Sequence, residues 1–406
     1  MCGYFGIISS EGGVAGQIYE ALLCLQHRGQ DAAGIVTLDS RFHIKKGNGL
    51  VRDVFRRKHM GRLTGPMGLG HVRYTTVGGG SQEDAQPFLI HYPYGIAMAH
   101  NGNVTNYGEL VRYLSDSKKA HLNSRCDLEV VLNILAIELG RMGVPELSPE
   151  VLFRAVEGVF ERVRGSYSVV ALVANYGLLA FRDPYGVRPM IYGSREGRRG
   201  IDHAVASENV ALDILGFTGC VDVKPGEAIL FPREGAPVSC RLAEKEHYPC
   251  IFEQVYFARP DTAMDGVSVY QTRRRFGEKL AEKWRKTGIH VDVVIPVPDS
   301  SCTAASTLAR ALGVDYREGL VKNRYIGRTF IMPGQSAREA SIRRKLNAIP
   351  MEFRGKDVLL VDDSIVRGNT ARQIVELARH AGARRVYFAS CSPPIRFPCV
   401  YGIDMS

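Results

Sequence analysis

The sequence predicts two domains of different class: a layered α+β domain, then an α/β domain with a mostly parallel sheet. Three observations predict this. The first half reads as short β-runs with glycine-rich turns, interrupted by a few helices. The second half alternates strands and helices. A polar stretch without periodicity at 232–247, containing two prolines, lies between them and sets the boundary at 235/236. At 406 residues the chain has room for two or three domains, each able to bury its own core.

In chain order, the first-half strands are expected at 34–38, 67–74, 95–100, 167–173, 177–181, 204–207 and 228–231. Helices are expected at 18–25 and 127–139. In the second, Leu128, Val131, Leu132 and Leu135 recur at helical spacing. Beyond the boundary, the apolar run 291–297 reads as a strand and 303–312 as the helix after it. A strand at 358–361, a helix at 370–381 and a strand at 386–390 continue the βαβ rhythm.

Composition narrows the function classes. Hydrophobic residues make up 45% and charged residues 23%, which excludes a disordered or collagen-like chain. The longest apolar runs, such as 169–174, are too short to span a bilayer. No basic region followed by an apolar run opens the chain, so no secretory signal is expected. The nine cysteines are scattered, odd in number and free of C-x-x-C pairs. That pattern argues against a disulfide framework and for reduced thiols in a cytoplasmic protein. The net charge of +10 points to polyanionic partners: nucleic acid, an acidic surface or phosphorylated small molecules.

The first chemical constellation starts at the N-terminus. Removal of Met1 leaves Cys2 with a thiol and a free α-amine, which can act together as nucleophile and base. Taken alone, Cys2 reads better as a small buried hydrophobe. Other motifs join it: LQHRGQDAAG at 25–34, GHVRYT at 70–75, and HNGN at 100–103 ending an apolar strand. Asn101 and Gly102 sit where a side-chain amide and a backbone N–H can form an oxyanion hole. Arg73 can hold a carboxylate and Asp127 an ammonium, a pairing that suits a free amino acid. Each also has a plainer reading: a hairpin turn for Asn-Gly, a helix cap for Asp127, a surface ion pair for Arg73.

As a set, these motifs resemble the class II glutamine amidotransferases. The resemblance implies a four-layer αββα N-terminal-nucleophile fold in which Cys2 attacks the glutamine side-chain amide. Asn101 and Gly102 would stabilise the oxyanion, and Arg73 and Asp127 would hold the amino-acid end of glutamine. Arg28 matches the family arginine packed beside the site.

The second constellation is VLLVDDSIVRGNT at 358–370: a buried strand, two adjacent carboxylates, then a turn into a helix. Ligands of open α/β sheets bind at the carboxyl ends of strands, and a helix N-terminus cradles phosphate. Asp362 and Asp363 can accept from ribose hydroxyls or support a hydrated Mg²⁺. A solvated acidic turn is the plain alternative. The string is similar to the diphosphosugar motif of type I phosphoribosyltransferases. That likeness implies that Ser364, Ile365, Val366, Arg367, Gly368, Asn369 and Thr370 wrap the 5′-phosphate of phosphoribosyl pyrophosphate. Asn369 stands where threonine is more usual. Pro298-Asp299-Ser300-Ser301 matches the pyrophosphate-proximal loop, which places Ser300 near the Mg²⁺ with Asp362 and Asp363.

Between these motifs, 321–345 carries seven basic residues against one acid, Glu339. Lys322, Arg324, Arg328, Arg343, Arg344 and Lys345 can neutralise a pyrophosphate; a nucleic-acid patch and a solvated face are the alternatives. Gly327, Pro333 and Gly334 suggest a segment that moves, as a closing lid does. The resemblance makes it the lid over phosphoribosyl pyrophosphate, with Lys322 and Arg328 as ligands and no nucleic acid bound.

A terminal-cysteine glutaminase joined to a phosphoribosyltransferase resembles the amidophosphoribosyltransferases. That family makes 5-phosphoribosylamine, glutamate and diphosphate from glutamine, phosphoribosyl pyrophosphate and water. It implies Mg²⁺, ammonia channelled to C1 of the sugar, purine nucleotides as feedback inhibitors, and a homo-tetramer or other homo-oligomer. Its members continue past a string like Tyr401–Asp404, so this chain, which stops at Ser406, is expected to lack the family's C-terminal helical segment. Some carry a [4Fe–4S] cluster on four cysteines. Cys250 and Cys399 match two of them, which is too few for that ligation, and no cluster is expected here. The rival readings are another class II amidotransferase, a non-catalytic paralogue, and a regulator that binds phosphoribosyl pyrophosphate.

Overall fold

The computed structural model describes residues 2–74, 81–116, 120–143, 147–323, 346–366 and 368–403. The first domain stacks two antiparallel sheets. One has seven strands in the order Thr218–Asp222, Ile191–Gly197, Gly200–Ala206, Gly3–Ile8, Met67–Arg73, Ala32–Leu38, Phe42–Asn48. The other has six, in the order Val238–Arg241, Glu227–Pro232, Gly177–Arg182, Gly165–Val173, Ile96–Val104, Phe88–Ile90.

Three apolar clusters define four layers. Tyr4, Ile8, Leu69, Ala97, Val170 and Leu172 meet between the sheets. Phe5 and Ile7, one residue out of step on the same strand as Tyr4, point the other way. They pack under the helix Ala15–Cys24 with Ile18 and Leu22. On the outer face of the second sheet, Met98, Val169 and Ala171 pack against the helices Asp127–Met142 and Pro149–Arg162. Side chains alternate faces with period two, so a strand covered on both faces reads as an unbroken apolar run. GYFGII at Gly3–Ile8 is buried throughout for that reason. It places Cys2 at the end of this central strand.

The second domain is a four-stranded parallel sheet in the order Asp315–Tyr316, Val293–Pro296, Asp357–Asp362, Arg385–Ser390. The helices Val269–Arg285 and Cys302–Leu312 cover one face through Ala281, Ala305 and Leu308 against Val294 and Leu359. Asn369–His380 covers the other through Ile374 and Ala378 against Val358 and Leu360. The αββα domain followed by a parallel α/β domain is the predicted fold class.

Two elements carry no signal in the sequence. Within 232–247, Val238–Arg241 pairs with Glu227–Pro232 and extends the second sheet. All four of its residues are exposed, so no alternation marks it. The sequence reading also passed over the 17-residue helix Val269–Arg285. Its buried positions are Val269, Arg273, Gly277 and Ala281, correctly spaced by four but small or charged. Gly277 is required by close approach: a Cβ there would stand 2.2 Å from Ala304 O on the facing helix.

Candidate active site

Cys2 precedes the central strand Gly3–Ile8, half-buried, with its thiol 3.7 Å from Tyr74 O. Its N–H donates to Asn101 Oδ1 at 3.2 Å. That leaves the buried Asn101 Nδ2 without a hydrogen-bond partner among the described residues. On the same strand, Ile96–Val104, alternate N–H groups leave the ladder. His100 N donates to Gln86 Oε1 (2.9 Å) and Val104 N to Asp127 Oδ2 (2.9 Å). Gly102 lies between them, so its N–H faces the same way. Glycine is needed there because a Cβ would stand 1.9 Å from Ser166 O. An unpartnered amide N–H₂ beside Cys2 and a backbone N–H on the same strand are the donor types an oxyanion hole uses.

Arg73 and Asp127 are the candidates for holding an amino acid. Arg73 ends the strand Met67–Arg73, buried, with NH1 3.7 Å from Asp84 Oδ2. Asp127 begins the helix Asp127–Met142. Burial works to raise its pKa, but the neighbouring His100 and the Val104 N–H outweigh this, and the carboxyl is held below its usual range. His100 Nε2 stands 3.4 Å from Asp127 Oδ2, within ion-pair reach. Thr75 of the GHVRYT motif lies outside the described residues.

Arg28 is fully buried and donates through Nε to Cys2 O at 2.9 Å. Its guanidinium pairs with Glu208 and, at 2.9 Å, with both oxygens of Glu253. Arg188 NH1 approaches Glu253 at 3.4 Å. These buried carboxylates were not singled out from the sequence. Their partners are 180 and 225 residues away, and no local spacing signals such a pair.

Asp362 and Asp363 stand at the carboxyl end of the strand Asp357–Asp362. Burial and the adjacent Asp363 push Asp362 up to about 7. Asp363 is also raised by burial, against hydrogen bonds from Ser300 and Ser364 and the charge of Arg273. Ser300 Oγ donates to Asp363 Oδ2, and Ser364 Oγ to Oδ1 at 2.6 Å. Two half-desolvated carboxylates beside a hydroxyl form a donor set that suits a hard cation. Ile365 and Val366 lie exposed in the turn, and Gly368 is left-handed (φ +74°) before the helix Asn369–His380, whose first turn holds Thr370. Lys322 Nζ pairs with Asp299 at 2.9 Å. Arg367 and Arg328 lie outside the described residues, as do Arg324, Arg343, Arg344, Lys345 and the rest of 324–345.

The second group lines a cavity of about 940 Å³, which the first group only adjoins, through His27 beside Arg28 and Tyr74 beside Arg73. His27, Gln30 and Tyr74 wall it on one side, and Asp362, Asp363 and Ser300 on the other. The connecting segment, from Phe252 to Pro260, lines it between them. Arg273, lost to the sequence reading in an RRR run, also reaches this cavity. Cys250 and Cys399 lie elsewhere: burial pushes the Cys250 thiol up, and Cys399 Sγ accepts from Tyr401 N at 3.4 Å. Among the described residues, no three His, Cys, Asp or Glu side chains converge to hold a metal. No described helix is long and apolar enough to cross a membrane.

Residues 71–213 match a family described as a glutamine amidotransferase domain, and residues 270–391 one described as a phosphoribosyl transferase domain. The amidophosphoribosyltransferase of Pseudomonas aeruginosa is 54% identical over 409 residues, covering 100% of this chain and 81% of the relative. That of Escherichia coli is 52% identical over 413 residues, with the same coverage of each. A solved structure of the allosteric regulatory enzyme of purine biosynthesis superposes with a TM-score of 0.87 at 38% identity, covering 100% of this chain and 84% of that one. The B. subtilis glutamine phosphoribosylpyrophosphate amidotransferase, complexed with ADP and GMP, gives 0.86 at 36% identity, covering 100% and 85%.

Proposed function

Because the chain belongs to the amidophosphoribosyltransferase family, we propose that its two sites carry out one reaction across the cavity that lies between them. Glutamine, phosphoribosyl pyrophosphate and water give 5-phosphoribosylamine, glutamate and diphosphate, a step of purine biosynthesis. The observation that carries this reading is the single cavity walled by His27, Gln30 and Tyr74 on one side and by Asp362 and Asp363 on the other.

With Met1 removed, the Cys2 α-amine takes the thiol proton and the thiolate attacks the glutamine amide carbon. Negative charge develops on the amide oxygen, and Asn101 Nδ2 and the Gly102 N–H receive it. Ammonia leaves, and water then releases glutamate from the thioester. Arg73 exchanges Asp84 for the substrate carboxylate, and Asp127 takes the ammonium. Arg28 fixes the Cys2 carbonyl and so the thiol's orientation.

In the second domain, the turn at 364–370 and the helix N-terminus after it hold the 5′-phosphate, with Lys322 toward the pyrophosphate. Ammonia adds to C1 as diphosphate departs. Ser300, Asp362 and Asp363 fit a Mg²⁺ ion, which supplies charge balance for the leaving diphosphate. No protein nucleophile is required at C1. Feedback by purine nucleotides, a homo-oligomeric assembly and a cytoplasmic location complete the reading. The ADP and GMP in the B. subtilis complex support the first of these.

The Cys2→Ala variant tests the assignment. It is expected to lose glutamine-dependent synthesis of phosphoribosylamine and to keep synthesis from high ammonia, because only the nitrogen source is removed. Retained glutamine-dependent synthesis would assign the nucleophile elsewhere.

A further inference from the structure

Glu208 belongs to neither constellation, yet its one carboxylate holds both walls of the cavity. It follows the strand Gly200–Ala206 and is 1% exposed. Oε1 accepts from His27 Nε2 at 2.8 Å and from Arg28. Oε2 accepts from Thr262 Oγ1 at 2.6 Å and from Arg259 N at 3.1 Å. His27 lines the cavity from the glutaminase side, and Arg259 from the segment leading into the second domain.

The contacts continue in both directions. Arg28 reaches Cys2 O at 2.9 Å. Beyond Arg259, the same segment is pinned by Arg273, which donates to Gln254 O at 3.0 Å and Ala258 O at 2.8 Å and faces the charge of Asp363. A contiguous path therefore runs from the Cys2 backbone to the Asp363 carboxylate, and it crosses between the walls at Glu208, beside a second crossing from Arg28 to Glu253. A planar carboxylate with each oxygen committed to a different wall cannot rotate to follow one wall without releasing the other.

Building on the proposed function, we infer that Glu208 is a positioning residue that couples glutamine hydrolysis at Cys2 to transfer at the sugar. When the 259–262 turn shifts as the sugar site fills, Glu208 carries the shift to the 26–28 turn beside the nucleophile. It touches no substrate and no reacting atom.

The Glu208→Gln variant tests this, since its amide nitrogen cannot accept from either set of donors. Two quantities are measured on the full chain with glutamine and phosphoribosyl pyrophosphate: phosphoribosylamine formed and glutamate formed. Synthesis from ammonia is measured separately. The expected result is a fall of about fivefold or more in phosphoribosylamine per glutamate, with ammonia-dependent synthesis unchanged. A parallel fall of both activities at the wild-type ratio would make Glu208 merely structural and overturn the inference. So would wild-type behaviour throughout. If Glu208→Gln does not fold, Thr262→Val removes a single donor to Oε2, and Thr262→Ser restores it. The ratio is then expected to fall in the first and recover in the second; a Thr262→Val variant with the wild-type ratio overturns the coupling role. Absence of phosphoribosylamine from the wild-type chain with either nitrogen source overturns the functional reading itself, and the inference with it.

Discussion

Asn101 shows how much of the site a single side chain can carry. Its Oδ1 is taken by the Cys2 N–H, which leaves Nδ2 as the group that would receive the charge in the proposed reaction. Asn101→Ala is expected to lower kcat for glutamine hydrolysis about 10²–10³-fold with little change in KM, as measured by glutamate release. An equal rise in KM would instead make it a ground-state binder. Cys2, Arg73, Asn101 and Asp127 could be singled out in the sequence as candidates because they sit in or beside short strings. Glu208, Glu253 and Arg188 were not. Each is a buried ion matched across the fold, and a lone Glu or Arg in a sequence reads as surface.

Among the elements, two that deliver chemistry were legible within a few residues: the strand expected at 358–361 is Asp357–Asp362, and the helix expected at 370–381 is Asn369–His380. Those that only support were harder. Val269–Arg285 buries one small or charged residue per turn, so its apolar periodicity is absent even though its geometry is regular. Its packing is nonetheless tight. Gly277→Val is expected to destabilise the second domain by about 1–3 kcal/mol, because the added atoms meet Ala304 O and Thr307 Cβ. Urea unfolding checks this, and an unchanged midpoint would mean that the helix pair can separate at no cost. Gly3–Ile8 was overlooked for the opposite reason: buried on both faces, it shows no alternation.

For the whole molecule, two domain classes could be read from texture, but their mutual placement could not, because no local pattern encodes it. The interface is polar and runs through the chain's last described residues: Asn103 Nδ2 donates to Val400 O at 2.7 Å, and Ser166 Oγ to Tyr401 O at 3.0 Å. If the cavity retains the ammonia, ¹⁵N-amide glutamine turned over in dilute unlabelled ammonium is expected to give labelled phosphoribosylamine, read by mass spectrometry. Dilution of the label to the bulk ratio would mean that the nitrogen escapes first.

The cavity's size gives that retention a scale. One molecule confined to about 940 Å³ is at a concentration of about 2 M. Ammonia released into it and held there would meet the sugar at about that concentration, for as long as the walls stay together.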